Sequence, residues 1–237
     1  MEGLIQWFET QGDKFYQVLI ENDRYKAYIT GFGRTLLISF FAVILGAVIG
    51  TLIAIIKYSA VRTKKLGLLA AICNFYITII RGTPVYVQLL IIYFFAFNTR
   101  GSSPVLAGII CFGINSSAYV AEIIRAGIEA VDKGQTEAGR SLGLSGVQTM
   151  VSIILPQAIR NILPALGNEF IVLIKETAII GNIGVIDVTK AGQNIGMSTY
   201  AYVQSLIIVA LIYLVVVVIL TKLLKKLERR MARSDRR

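Results

Sequence analysis

Long uncharged apolar runs alternate with short polar links along this chain. The clearest run is Thr35–Ile56 (TLLISFFAVILGAVIGTLIAII), and Val203–Leu220 (VQSLIIVALIYLVVVVIL) is a second. A helix needs roughly 20 mostly apolar residues to cross a bilayer. The pattern predicts five such spans, at about 33–57, 66–97, 104–130, 151–175 and 202–224. The second is long and interrupted by Arg81-Gly82-Thr83-Pro84, so residues 66–80 are expected to slope along one face before the true crossing begins near Pro84. The fourth contains Pro156 and Pro164. Such breaks are tolerated where neighbouring helices or polar groups satisfy the freed backbone. The expected fold is an all-α membrane protein of about five transmembrane helices.

Composition agrees with that pattern. Apolar residues make up 55% of the 237 and charged residues 16%, well under the quarter or so of a soluble domain. The net charge of +10 is explained by topology rather than by nucleic acid. Lys57, Arg62, Lys64 and Lys65 follow the first span. Lys133 and Arg140, with Arg125 nearby, lie between the third and fourth, and 8 of the 24 basic residues lie from Lys222 onward. The remaining links are poor in Lys and Arg. Basic loops face the cytoplasm, so the N-terminus is expected outside and the C-terminus in the cytoplasm. Residues 1–28 are expected to form an extracytoplasmic or interfacial segment, where Trp7 and Tyr16 are at home. Residues 29–224 then form the membrane domain, and 225–237 a basic cytoplasmic tail able to touch anionic lipid. The acidic N-terminal stretch lacks the basic n-region of a cleavable signal.

Cys73 and Cys111 sit in apolar runs and are expected to act as small buried hydrophobes. Histidine is absent, which removes histidine-based triads and the H-E-x-x-H zinc motif. Gly143-Leu144-Ser145-Gly146 is not a G-x-S-x-G elbow, and with histidine absent an intramembrane enzyme is disfavoured; no metal or cofactor is expected on this chain.

The link between the third and fourth spans is too polar for the bilayer and too patterned for a plain linker. Thr136 is expected to cap a short helix within about 134–146, with Glu137 near its positive end. Ala138 and Leu142 form a small apolar ridge, and Gly143 is suited to end the helix. A short exposed helix joined rigidly to two spans suits docking into a groove on another protein.

This link resembles the EAA loop of binding-protein-dependent ABC permeases. Glu137-Ala138-Gly139, then Gly143, then Ile153-x-Leu155-Pro156 keep that family's spacing, with Gly139 in place of the third-position Ala. Arg81-Gly82-Thr83-Pro84 with Val87-Gln88-Leu89, Ala118–Arg125, Asn168-Glu169-Phe170 and Lys175-Glu176-Thr177 look like the polar amino acid branch of the family, with a type I importer fold. The resemblance implies a second permease subunit, giving a homodimer or a heterodimer. It also implies ABC ATPase subunits docked on the EAA helices, using ATP and Mg, and an extracytoplasmic substrate-binding protein in a bacterial inner membrane. This chain has no G-x-x-x-x-G-K-[ST] loop, so the ATPase would be a separate subunit.

Charged and polar groups within spans are costly and so are candidates for function. Asn168 and Glu169 lie near the middle of the fourth span, with Asn161, Asn168 and Lys175 on one helix face. Glu169 is the candidate partner for a substrate ammonium or guanidinium, and a helix–helix hydrogen bond is the competing reading. Asn115, Ser116, Ser117 and Tyr119 form a polar patch in the third span, able to hold amino and carboxylate groups or to pack at a helix interface. Glu122 and Arg125 are within pairing reach, and they are expected to be structural or gating. Arg81 and Pro84 mark a bend, with Arg81 snorkelling or bonding to carbonyls. The rival function is an ion-coupled secondary transporter, which would need a coupling-ion site and commonly shows paired repeats.

Overall fold

The computed structural model describes residues 1–63 and 66–234. Lys64 and Lys65 of the first basic link, and the end of the basic tail at 235–237, lie outside the described residues. Most of the described residues are helical, and no strand is found among them.

The N-terminal segment forms α1 (Glu2–Leu19), an amphipathic helix. A short turn leads into α2 (Tyr25–Thr63), so the first span starts ahead of residue 28 and runs past residue 57. The second apolar region is two helices, α3 (Gly67–Gly82) and α4 (Val85–Ile92), with a π-helical turn Tyr93–Phe97 extending α4. The two arms bend by 106° at Thr83-Pro84, which is the expected break. Ser103 and Pro104 then open α5 (Pro104–Glu129), the Ser103 hydroxyl accepting from the Leu106 N–H.

After a surface loop that carries α6 (Lys133–Ser141), one apolar stretch covers Gly146–Ile183. It comprises α7 (Gly146–Thr149), a π-helical turn Met150–Ile154, α8 (Leu155–Glu176) and a 3-10 turn Thr177–Ile183. The fourth span is thus longer than 151–175. The chain closes with α9 (Val188–Thr199), capped by the buried Asp187 carboxylate, and α10 (Tyr202–Ser234). Among the described residues, four helices are long and apolar enough to cross a membrane, and the bent α3–α4 pair brings the number to five when it is counted as one broken span.

Glycine sets the central packing. Gly46 and Gly50 of α2 form a G-x-x-x-G pair against α5. A Cβ at Gly46 would lie 2.8 Å from the Ser116 Cβ, and one at Gly50 would lie 2.7 Å from the Ser117 carbonyl oxygen. Small residues allow such close backbone approach in a membrane, where apolar transfer gives no drive for association. Ile38 meets Gly108 and Lys57 meets Glu122, so α2 and α5 run parallel. Ile162 meets Gly127 and Ile180 meets Gly108, so α8 runs antiparallel to α5. Leu224 of α10 meets Gly167 of α8, and Tyr28 of α2 bonds Ser205. The crossings therefore alternate in direction. The free ends of α2 and α5, together with α6 and the basic end of α10, share one side, and α1 and α9 lie on the other. Cys73 and Cys111 are buried free thiols among apolar neighbours.

Candidate functional site

The polar patch of α5 is central, and helical geometry divides it. Successive residues step by about 100° around a helix, so Asn115, Ser116 and Ser117 face three different neighbours. The Asn115 amide donates to Gln88 Oε1 on α4 at 2.9 Å. The Ser116 hydroxyl donates to Glu169 Oε1 on α8 at 2.8 Å. Ser117 Oγ lies 2.6 Å from the Tyr76 hydroxyl of α3. All three side chains are buried and joined to protein partners. These three groups are engaged with protein partners on three neighbouring helices, while Tyr119, the fourth member of the patch, lines a cavity.

Glu169 is 8% exposed, and its Oε1 accepts the Ser116 hydrogen bond. It also lines an open cavity of about 380 Å³ with Arg81, Tyr119, Glu122 and Arg125. Asn168, the preceding residue, is turned onto the exposed face of α8 with Asn161 and Lys175. Adjacent in sequence, the two are presented to different surroundings.

The remaining candidates converge beside Glu169. The Arg81 guanidinium lies over the Tyr119 ring, 5.2 Å from its centre, and 4.0 Å from Glu122 Oε2. Arg81 therefore stacks on Tyr119 and reaches toward Glu122, because α3 ends alongside α5. Arg125 donates to Glu122 Oε2 at 2.9 and 3.0 Å and to Glu129 at 2.6 Å. The Lys57 ammonium completes the cluster, 3.0 Å from Glu122 Oε1. Glu122 thus ties α2, α3 and α5 together. In the sequence Lys57 reads only as a topology charge at the end of a span, and Gln88 only as part of a short motif.

Gln88 holds the bend. Pro84 has no N–H for the carbonyl of Ile80, its partner four residues back. Gln88 Nε2 donates to that carbonyl at 2.8 Å and to Thr83 Oγ1 at 2.8 Å. The same side chain accepts from Asn115. The break that presents Arg81 to the cavity is therefore pinned to α5.

At the end of the bundle, α6 projects from the loop. Its cap is Asp132, whose carboxylate accepts from the Gly134 N–H at 2.7 Å. The expectation that Thr136 caps the helix is corrected: Asp132 reaches the free N–H groups first, and Thr136 lies inside α6. Gly143, at φ +82°, ends the helix. The Gly143 N–H donates to Arg140 O and the Leu144 N–H to Gly139 O, the paired bonds of a Schellman end. Gly139 is buried against the next helical segment, where an added Cβ would lie 2.8 Å from Thr149 Cγ2 and 3.0 Å from Ile153 Cδ1. Glu137, Ala138 and Leu142 are exposed, Leu142 at 79%. The apolar ridge thus points away from the chain's own core, while Gly139 fixes the helix to α7 and the turn beyond it.

Residues 46–233 match the family model described as "Binding-protein-dependent transport system inner membrane component". The chain is 46% identical over 199 residues to a putative glutamine transport system permease protein of Rickettsia typhi, covering 83% of this chain and 89% of that one. It is 41% identical over 209 residues to an arginine transport system permease protein of Bacillus subtilis, covering 87% and 93%. Among solved structures it is similar to an amino acid ABC transporter crystallised with histidines, with a TM-score of 0.79, 48% identity and coverage of 87% and 94%. A methionine ABC transporter in inward-facing form shares the fold at 19% identity, with a TM-score of 0.76 and coverage of 90% and 99%.

Proposed function

The chain belongs to the family of binding-protein-dependent transport system inner membrane components, and from that premise we propose that it carries a polar amino acid across the membrane with energy from a separate ATPase subunit. The amino acid systems named for its relatives support this substrate class, glutamine for one and arginine for another. The observation that carries the reading is the cavity beside α5. It offers a buried carboxylate, Glu169, and an Arg81 guanidinium stacked on Tyr119. An amino acid in transit carries an ammonium and a carboxylate, and each needs an opposite charge in a low-dielectric setting. Glu169 takes the ammonium, or the guanidinium of a cationic side chain, and Arg81 takes the carboxylate. Asn115, Ser116 and Ser117 hold the surrounding helices in register, and Ser116 orients Glu169. Asn168 and the exposed face of α8 face the route or the second permease subunit, identical or not.

In this reading α6 docks into the ATPase subunit through Glu137, Ala138 and Leu142. ATP and Mg are bound by that partner, and the extracytoplasmic binding protein delivers substrate from the other side. The side carrying α6 and the basic end of α10 is cytoplasmic, which the positive-inside tendency supports. Motion of α6 passes to α8 through Gly139 and to α5 through the short link at Ala130–Asp132. Nucleotide and substrate then favour different members of a two-state equilibrium, giving alternating access.

The test is substrate-stimulated ATPase activity of the purified complex across a panel of amino acids. Stimulation by polar or cationic amino acids is expected. Glu169→Gln should raise the half-maximal concentration for the preferred amino acid about tenfold or more, since a charged hydrogen bond is worth about 1.5–3 kcal/mol. An unchanged concentration dependence in that variant would remove Glu169 from the site.

A further inference from the structure

Helix α1 is amphipathic along its whole length, but only its second half is packed. Leu4, Phe8, Phe15 and Leu19 recur at helical spacing, with Ile5, Trp7 and Val18 flanking the stripe. Val18 is fully buried, and Phe15 and Leu19 pack with it against Tyr28, Val188, Ile208 and Val209. Leu4, Ile5, Trp7 and Phe8 continue the stripe and are each more than half exposed. Trp7 and Phe8 pack edge to face with centres 5.0 Å apart. The opposite face carries Gln6, Glu9, Thr10, Asp13 and Gln17.

We propose that the N-terminal half of α1 is an interfacial membrane anchor, with Leu4, Ile5, Trp7 and Phe8 inserted in phospholipid between head groups and acyl chains on the side away from α6. The occupant is identified by continuity. Gln11 of α1 accepts a hydrogen bond from Gln204 in the first turn of α10 at 2.6 Å, where the long apolar run of that span begins. Val203, Ile207 and Leu211 beside it are exposed on the span itself, the face that lipid covers. The exposed stripe of α1 therefore starts at the level where α10 enters the apolar layer. Trp is favoured there because its ring is apolar while its N–H seeks water. The first basic residue of the chain is Lys14, so insertion of apolar groups drives the contact, not attraction of basic side chains to anionic lipid, and neutral phosphatidylcholine suffices. This inference is independent of the transport reading.

Trp7 is the only tryptophan in the chain, so its fluorescence reports on this helix alone. The full chain is reconstituted in phosphatidylcholine vesicles carrying bromine at shallow or at deep acyl positions. Trp7 should be quenched more by the shallow bromines. A control with Trp7→Phe and Leu211→Trp should show the opposite order. Ile5→Asp combined with Phe8→Asp should abolish the quenching of Trp7 while the chain stays in the vesicles. Absence of quenching in the unaltered chain, with the control quenched, would overturn the proposal and assign the face to water, a second copy or a protein partner. Stronger quenching by deep bromines, or quenching that survives the double substitution, would overturn it as well.

Discussion

Pro84 breaks a span, and the amide of Gln88 repairs the break. That side chain serves both the carbonyl freed by the proline and the Asn115 amide on α5. Gln88→Met keeps the volume and loses both sets of bonds. It should destabilise the chain by about 1–3 kcal/mol, since buried carbonyls and an amide lose partners. It should also weaken substrate stimulation, because Arg81 lies just before the break. Asn115→Ala breaks only the interhelical bond, for about 1 kcal/mol, and leaves the bonds of Gln88 within the bend intact. Thermal unfolding in detergent, combined with substrate titration, separates the two; equal effects on titration would show that the bend is not what positions Arg81. Residue chemistry was legible at Glu169 and Glu122 because charge inside an apolar run stands out. Gln88 and Lys57 were not legible in this role, since their partners come from other helices. The convergence of Arg81 with Glu169 depends on a 106° bend whose direction no local pattern encodes.

Among the elements, α6 was the most readable. Polar patterning, a terminal glycine and the spacing to Leu155-Pro156 predicted a short exposed helix, and Gly143 ends it as expected. The cap was misassigned because Asp132 precedes Thr136 and satisfies the first turn. In the sequence Gly139 stands only in place of the motif's third-position Ala. Its observed place is steric, against Thr149 and Ile153. Two substitutions therefore separate docking from seating. Glu137→Lys reverses an exposed charge and should abolish copurification of the ATPase subunit without lowering the melting temperature of the permease. Gly139→Leu should also abolish copurification, and it should lower that temperature as well, because overpacking typically costs about 1–3 kcal/mol. Normal copurification and transport by the Glu137→Lys protein would remove α6 as the docking element. The α2–α5 contact shows a different limit. The G-x-x-x-G at Gly46–Gly50 stands in the sequence, yet which span it meets emerges only from the bundle.

At the scale of the whole molecule, hydropathy predicted about five spans, against four long apolar helices and one bent pair, and it located the break in that pair. It set the ends less well, because helices continue past the apolar runs: α2 to Thr63 and α10 to Ser234. The resulting arrangement gathers Lys57, Arg125, Arg140 and the basic end of α10 on the side bearing α6. A chain with the exposed helix α6 on one side and a charged cavity between its spans suits the proposed coupling of a separate ATPase subunit to passage of a zwitterion. The most direct measurement is uptake of a labelled amino acid by vesicles containing this chain with its cognate ATPase and binding protein. Uptake should require ATP on the side carrying α6 and should persist when ion gradients are collapsed. Uptake that continues without ATP and follows an imposed ion gradient would contradict the account.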